Sequence, residues 1–278
     1  MRQPRRHAPK PSRPRAAGTL WFAASLWLAL AQWGGAGRCG AWEADCRACD
    51  YCRASGDIAA KIDARIRRHL ATGGSVREIA LAEGGTSLLR SPIETWAKSL
   101  PEAVRPNRAL LRYRGSGLPD SPLLSAYSPS VKVKGVCIGT DKLAHLFQQG
   151  WEYYSIAVLD GKGEALAERY GEWLEGKEPR ASYSRDEPYF LTQPSGRVLG
   201  YGSFGRTTSG VISHADLAAN RSGLRMYGDL ARGSFTSISN YVSSALCEEV
   251  NPNTYTPEMQ RIVDHNEREW QRAHVPKP

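Results

Sequence analysis

The sequence predicts a mainly α fold with little sheet, a single globular domain of packed helices. Three observations carry that prediction. Apolar residues recur at helical spacing in several stretches, most plainly Ile58, Ile62, Ile66 and Leu70. Alternating apolar runs, the mark of strands, are short, and the clearest is Val131 to Ile138. Eight Trp and twelve Tyr in 278 residues supply a core that a solvated tail does not need.

The chain begins with a basic, Pro-rich stretch that holds Arg2, Arg5, Arg6, Lys10, Arg13 and Arg15 and no acid before the apolar run Thr19 to Trp33. That run is about 15 residues long, short of the roughly 20 a bilayer span needs. A basic start, an apolar middle and small residues after it read as a secretory signal over residues 1–38, cut after Ala31, Ala36 or Ala41. An uncleaved signal anchor is the alternative. Either way the body is expected in the periplasm or outside the cell, with membrane contact through the N-terminal segment alone.

The leader also explains most of the charge. The formal net charge is +9, from 37 basic and 28 acidic residues. Setting the six leader charges aside leaves 31 basic residues against 28 acidic ones. A nucleic-acid partner is therefore not expected. A mean hydropathy of −0.46 argues against a multi-span membrane protein.

Six cysteines fit an oxidising compartment: Cys39, Cys46, Cys49, Cys52, Cys137 and Cys247. The Cys46–Cys49–Cys52 cluster lacks a second ligand pair for zinc, and Arg53 stands where a c-type haem site needs His. A disulfide between Cys137 and Cys247 is expected, bringing two distant segments together. Pairing of each with the N-terminal cluster, or two buried free thiols, are the competing outcomes.

Residues 39–130 read as an N-terminal helical, Cys-containing region. Ser55 caps a helix to Ala71 that stops at Gly73-Gly74. A short helix follows from Ser75 to Glu83, and a third from Pro92 to Val104. Arg105 to Ser130 is rich in Pro, Gly and Ser and reads as a long loop. Residues 131–278 form the main α-rich part. There, after the Val131–Ile138 strand, helices are expected at Asp141 to Leu159 and Glu164 to Leu174. Arg180 to Gly210 is irregular, with a short strand at Arg197 to Leu199. Ser213 and Asp216 form a capping box for a long helix to Ala231. Ile238 to Glu248 is ambiguous, and Pro257 to Arg272 is a polar terminal helix.

Several chemistries are excluded by motif. Gly200, Gly202 and Gly205 match G-x-G-x-x-G, but without a βαβ frame they read as a glycine-rich loop, with room to act as a flap. There is no G-x-S-x-G, S-x-x-K, H-E-x-x-H or Walker loop. No cofactor is identified, and the presence of a metal stays open.

Three segments carry polar chemistry. On a helix, Asp141, His145, Gln148 and Glu152 share one face, and Leu143, Phe147, Gly150 and Tyr154 the buried one. A His between two carboxylates is held in one tautomer, as a general base or a metal ligand needs. In the second segment Asp216, Asn220 and Gly223 share a face, and Gly223 lets another backbone come close. Asn220 is expected to be buried and partnered. In the third, Glu248 and Glu249 cannot both face one site, so one is solvated.

Two of these stretches carry a resemblance. Asp141, Lys142, His145 and Phe147, then Asp216, Asn220 and Gly223, resemble the pattern of the VanZ-like proteins, which are linked to teicoplanin resistance. They also resemble small exported bacterial proteins of unknown role. VanZ-like proteins span the membrane several times, which this sequence does not; the resemblance implies cell-envelope work.

Two functional readings follow. In one, an exported envelope protein is a hydrolase with His145 as base or ligand, Asp141 as its orienter, and Glu152, Asp216 and Glu248 as acids. Asn220 then positions a substrate or an oxyanion. In the other, a non-catalytic periplasmic protein buries the same groups as a structural network. Trp151, Tyr153 and Tyr154 then face a carbohydrate or another partner. The expected partner is an envelope component or a small molecule. Convergence of His145, Asp216 and Glu248 in one place separates the readings.

Overall fold

The computed structural model describes Cys52 and residues 54–86, 91–105, 120–121, 124–125, 128–192 and 200–274. All lie in one compact unit, Cys39–Pro278. The leader, Cys39, Cys46, Cys49 and the expected strand at Arg197 to Leu199 fall outside the described residues.

The fold is mainly α, as the periodicity predicts, with small antiparallel ladders of two strands each. Helix α1 (Ala59–Ala71) starts four residues later than Ser55, because the preceding segment is taken up elsewhere. Ile58 donates its N–H to Lys132 O at 2.9 Å, and Asp57 Oδ1 receives the Ala59 N–H at 2.9 Å. Ile58, Ile62 and Ile66 are fully buried, whereas Leu70, at the far end of the stripe, is exposed.

Helix α2 (Val76–Ile79) opens on a reciprocal capping box between Ser75 and Glu78 and runs on as a π turn, Ala80–Gly84. Helix α3 (Pro92–Lys98) ends six residues earlier than expected, since Val104 leaves the helix to pair with Ser130. Strands β1 (Asp120–Ser121) and β2 (Leu124–Ser125) form a minimal ladder inside the expected long loop.

The single strand expected at Val131 to Ile138 is instead a hairpin of β3 (Ser130–Val133) and β4 (Val136–Gly139). Its two-residue turn places Lys134 at φ 53 and Gly135 at φ +74, the paired positive values of a tight hairpin turn. Asp57 Oδ2 accepts the Gly135 N–H at 2.7 Å and ties the turn to the start of α1.

Helix α4 follows without a break as Thr140–Ala144, a π turn His145–Gln149, Gly150–Tyr154 and a second π turn Ser155–Leu159. Each π turn re-aims the side chains that follow. Helix α5 (Glu164–Glu175) ends at Gly176, which takes the left-handed conformation at φ 68. A 3-10 turn (Arg180–Tyr183) leads into α6 (Glu187–Phe190). Strand β5 (Val211–Ile212) pairs with β6 (Thr254–Tyr255). Between them lie α7 (His214–Ala231) and two 3-10 turns, Ile238–Asn240 and Ser244–Leu246; α8 (Pro257–His274) closes the described chain.

One apolar core runs from Ile58 to Leu246 and includes Tyr153 and Tyr154, which are buried and face no ligand. Trp151 is half-buried against that core, edge-on to Tyr227 at 5.4 Å. Among the described residues, no helix is long and apolar enough to cross a membrane.

Candidate functional site

Helices α4 and α7 bring the first two polar segments together. They cross where Gly150 meets Gly223, and a Cβ built on Gly223 would lie 2.6 Å from the Gly150 Cα. That approach sets the first turns of α4 against those of α7 and puts His145 opposite Asn220 and Asp216.

At the centre is Lys142, whose side chain is fully buried. Its ammonium meets Asp141 Oδ2 at 2.6 Å, Asp216 Oδ1 at 2.5 Å and Glu248 Oε1. A buried ammonium persists only when paired in this way. Ser213 Oγ, 3.4 Å away, donates to Glu248 Oε1, and Asn253 Nδ2 donates to Glu248 Oε2 at the same distance. Glu249, its neighbour, is exposed.

Asp216 divides its carboxylate. Oδ1 faces Lys142, while Oδ2 lies 3.3 Å from His145 Nε2. The Ser213 hydroxyl still caps α7 by accepting the Asp216 N–H at 3.1 Å, but the Asp216 side chain does not return the bond. The capping box is therefore half-formed, and the acid serves the cluster. The other ring nitrogen of His145, Nδ1, lies 3.0 Å from Asn220 Oδ1. Phe204 stands edge-on to the imidazole at 5.8 Å. With 13% of its side chain exposed, His145 is the member that reaches solvent.

Glu175, at the end of α5, completes the site. It is 1% exposed, and its Oε2 has no hydrogen-bond partner. Burial, then the neighbouring Asp216, pushes its carboxyl well above the usual carboxylate range, against the pull of Lys142 and the Ser213 N–H. The glycine-rich loop covers it: a Cβ on Gly205 would lie 2.6 Å from Glu175 Oε2. That loop is tied down by Gly202 N–H to Trp173 O at 2.9 Å, Phe204 N–H to Leu174 O at 3.1 Å and Arg206 N–H to Glu175 O at 2.9 Å. These bonds satisfy the last carbonyls of α5, which helix termini leave open.

Of the residues the sequence singled out, His145, Asp141, Asp216, Asn220 and Glu248 converge. Two of their roles differ from expectation. Asp141 does not orient His145; its carboxylate is drawn to the buried Lys142, and Asp216 and Asn220 hold the ring. Asn220 Oδ1 is engaged by His145, so it positions that ring. Glu152 is buried on the same helix, and the carboxylates that pair with Lys142 include Asp141, Asp216 and Glu248. Gln148 turns away and donates to Gly84 O at 3.0 Å. Sequence reasoning missed the parts played by Lys142 and Glu175.

The expected Cys137–Cys247 disulfide is not formed: Cys52, Cys137 and Cys247 are buried free thiols. Lys142 and Glu248 join the two segments non-covalently instead. An open groove of about 640 Å³, lined by Leu81, Gly85, Thr86, Pro92, Thr95, Trp96 and Ser99, shares no residue with the cluster.

No protein-family model matches the chain, and neither a curated protein nor a solved structure matches it.

Proposed function

We propose that the chain is an exported bacterial cell-envelope protein and that the His145 cluster is a hydrolytic site acting on envelope material. One observation carries this reading: His145 is the solvent-reaching member of an otherwise buried charged network, with its ring fixed from both sides. With the Nδ1 proton donated to Asn220, Nε2 is the basic nitrogen of the ring. It takes a proton from a water that reaches the exposed edge of the imidazole, and Asp216, 3.3 Å from Nε2, stabilises the positive charge gathered on the ring. Lys142 keeps Asp216 in place by holding its other oxygen. Phe204 restricts rotation of the imidazole.

The basic start and the apolar run Thr19 to Trp33 support export, and the VanZ-like spacing of the two helices supports envelope work. A fusion of residues 1–45 to a periplasm-dependent reporter tests export, and activity confined to the cytoplasm would refute it. For the chemistry, purified protein is incubated with isolated murein sacculi and with membrane-linked envelope material, and released fragments are measured by mass spectrometry. Wild-type protein releases soluble fragments, and His145→Ala lowers the rate by about 10²–10⁴-fold with little change in melting temperature. Equal release by both proteins, or none by the wild type, refutes the hydrolytic reading.

The complete burial of Lys142 favours a second reading, a non-catalytic envelope protein with a structural ionic network. It predicts that His145→Ala lowers stability by about 1–3 kcal/mol through unpaired Asp216 and Asn220.

A further inference from the structure

We propose that His145, Asp216 and Glu175 together hold one divalent transition-metal cation of the zinc type. Their ligand atoms all lie within 4.8 Å of one another, and the three residues come from three different helices. Three features of the geometry point to a cation there.

The first is the imidazole. In the neutral ring, Asn220 Oδ1, 3.0 Å from Nδ1, takes the Nδ1 proton and the lone pair lies on Nε2. That lone pair faces the Asp216 carboxylate at 3.3 Å, so two acceptors confront each other. A cation between them turns an opposition into two bonds. Asn220 then does what outer partners of metal-bound His usually do: it takes the distal N–H and fixes the ring.

The second is Glu175, whose Oε2 is buried beneath Gly205 with no hydrogen-bond partner. A buried carboxyl oxygen without a hydrogen-bond partner is costly, and a metal ion would accept its lone pair.

The third is charge. The Lys142 ammonium lies among three carboxylates, Asp141, Asp216 and Glu248, and a divalent ion beside Asp216 would favour the ionised form of the neighbouring Glu175. Asp141, Asp216 and Glu248 also converge, but the ammonium of Lys142 already lies among them, so that trio is not the metal position.

One imidazole nitrogen with two carboxylate oxygens suits zinc or manganese better than the all-oxygen shells of calcium and magnesium. Three protein ligands leave a further position for water, reached past the exposed edge of His145. The inference rests on the hydrolytic reading for the purpose of the site but changes the role of His145: with Nε2 on the ion, a bound ion, in place of the imidazole, would supply the activated water. The binding itself is measured without any substrate.

Purified full-length protein is dialysed against chelator, and Zn²⁺ binding is followed by calorimetry. Wild-type protein takes up one equivalent. Glu175→Gln and His145→Ala lower the affinity at least tenfold, and Glu249→Gln, an exposed neighbour, leaves it unchanged. Should Glu175→Gln fail to fold, Co²⁺ is added to wild-type protein labelled with ¹⁵N on histidine. Of the histidine ring resonances, those of His145 then shift or broaden most. Absence of stoichiometric uptake, equal affinity in Glu175→Gln, or a Co²⁺ effect that spares His145 overturns the metal site. Uptake at His145 without release of envelope fragments leaves the metal site standing and refutes the hydrolytic reading. Release by wild-type protein that takes up no Zn²⁺ does the reverse.

Discussion

Gly150 and Gly223 meet backbone to backbone, and neither has room for a methyl group. Every side-chain contact between the α4 and α7 arms of the site depends on that approach. Gly223→Ala is expected to destabilise the protein by about 1–3 kcal/mol through overpacking, or to prevent folding. Where it folds, the His145–Asn220 contact is lost. Urea unfolding checks the first effect. An unchanged midpoint would show that the helices are not this close.

That the two glycines meet was not legible in the sequence, but close approach at Gly223 was, and so was Gly150 on the buried stripe of its helix. So were His145, Asp216, Asn220 and Glu248. What the spacing could not give was their pairing. Asp141 and His145 share a helical face, yet the partners of His145 lie 71 and 75 residues further on. The π turn that begins at His145 also breaks the 3.6-residue register on which the stripe was drawn. Lys142 and Glu175 left a signal that was not used. A lysine in the first turn of a helix and a glutamate in the last both oppose the helix dipole. Charges at the wrong ends need an outside reason, and here it is each other's neighbourhood.

Lys142→Met keeps much of the side-chain volume and removes the charge that Asp141, Asp216 and Glu248 share. Breaking a buried ionic group by removing one partner costs about 3–5 kcal/mol. A loss of that size is expected in denaturant unfolding at neutral pH. A loss below about 1 kcal/mol would contradict a charged lysine at the centre of the site.

Glu94 on α3 gives a pH signature. Burial pushes its carboxyl up from 4.5 to about 7, with Lys98 opposing and Asp141 adding to the rise. Between those values the folded state keeps a proton that the unfolded chain has lost. Stability from this group is therefore present below pH 4.5 and lost as pH rises through about 7. The full change is about 3 kcal/mol at 1.36 kcal/mol per unit. Glu94→Gln should gain on the wild type across that window, and parallel stability curves for the two proteins would contradict the assignment.

The thiols make a chemical prediction. Burial pushes the Cys137 thiol up to about 12, and Cys52 is raised for the same reason. Iodoacetamide at neutral pH should leave Cys52, Cys137 and Cys247 untouched in the native protein and label all of them in urea without reductant. A Cys137–Cys247 linked peptide in a non-reducing digest would restore the disulfide.

The ring of His145 tests the account most directly. Both the activation of water and the binding of an ion require Nδ1 to carry the proton and Nε2 to present a lone pair. In chelator-treated protein at mildly alkaline pH, ¹⁵N spectra of the histidine side chains distinguish the two tautomers. The account predicts a protonated Nδ1 facing Asn220 and a bare Nε2. A proton on Nε2, shared with Asp216, would contradict it and make the cluster an ionic network that holds the fold together.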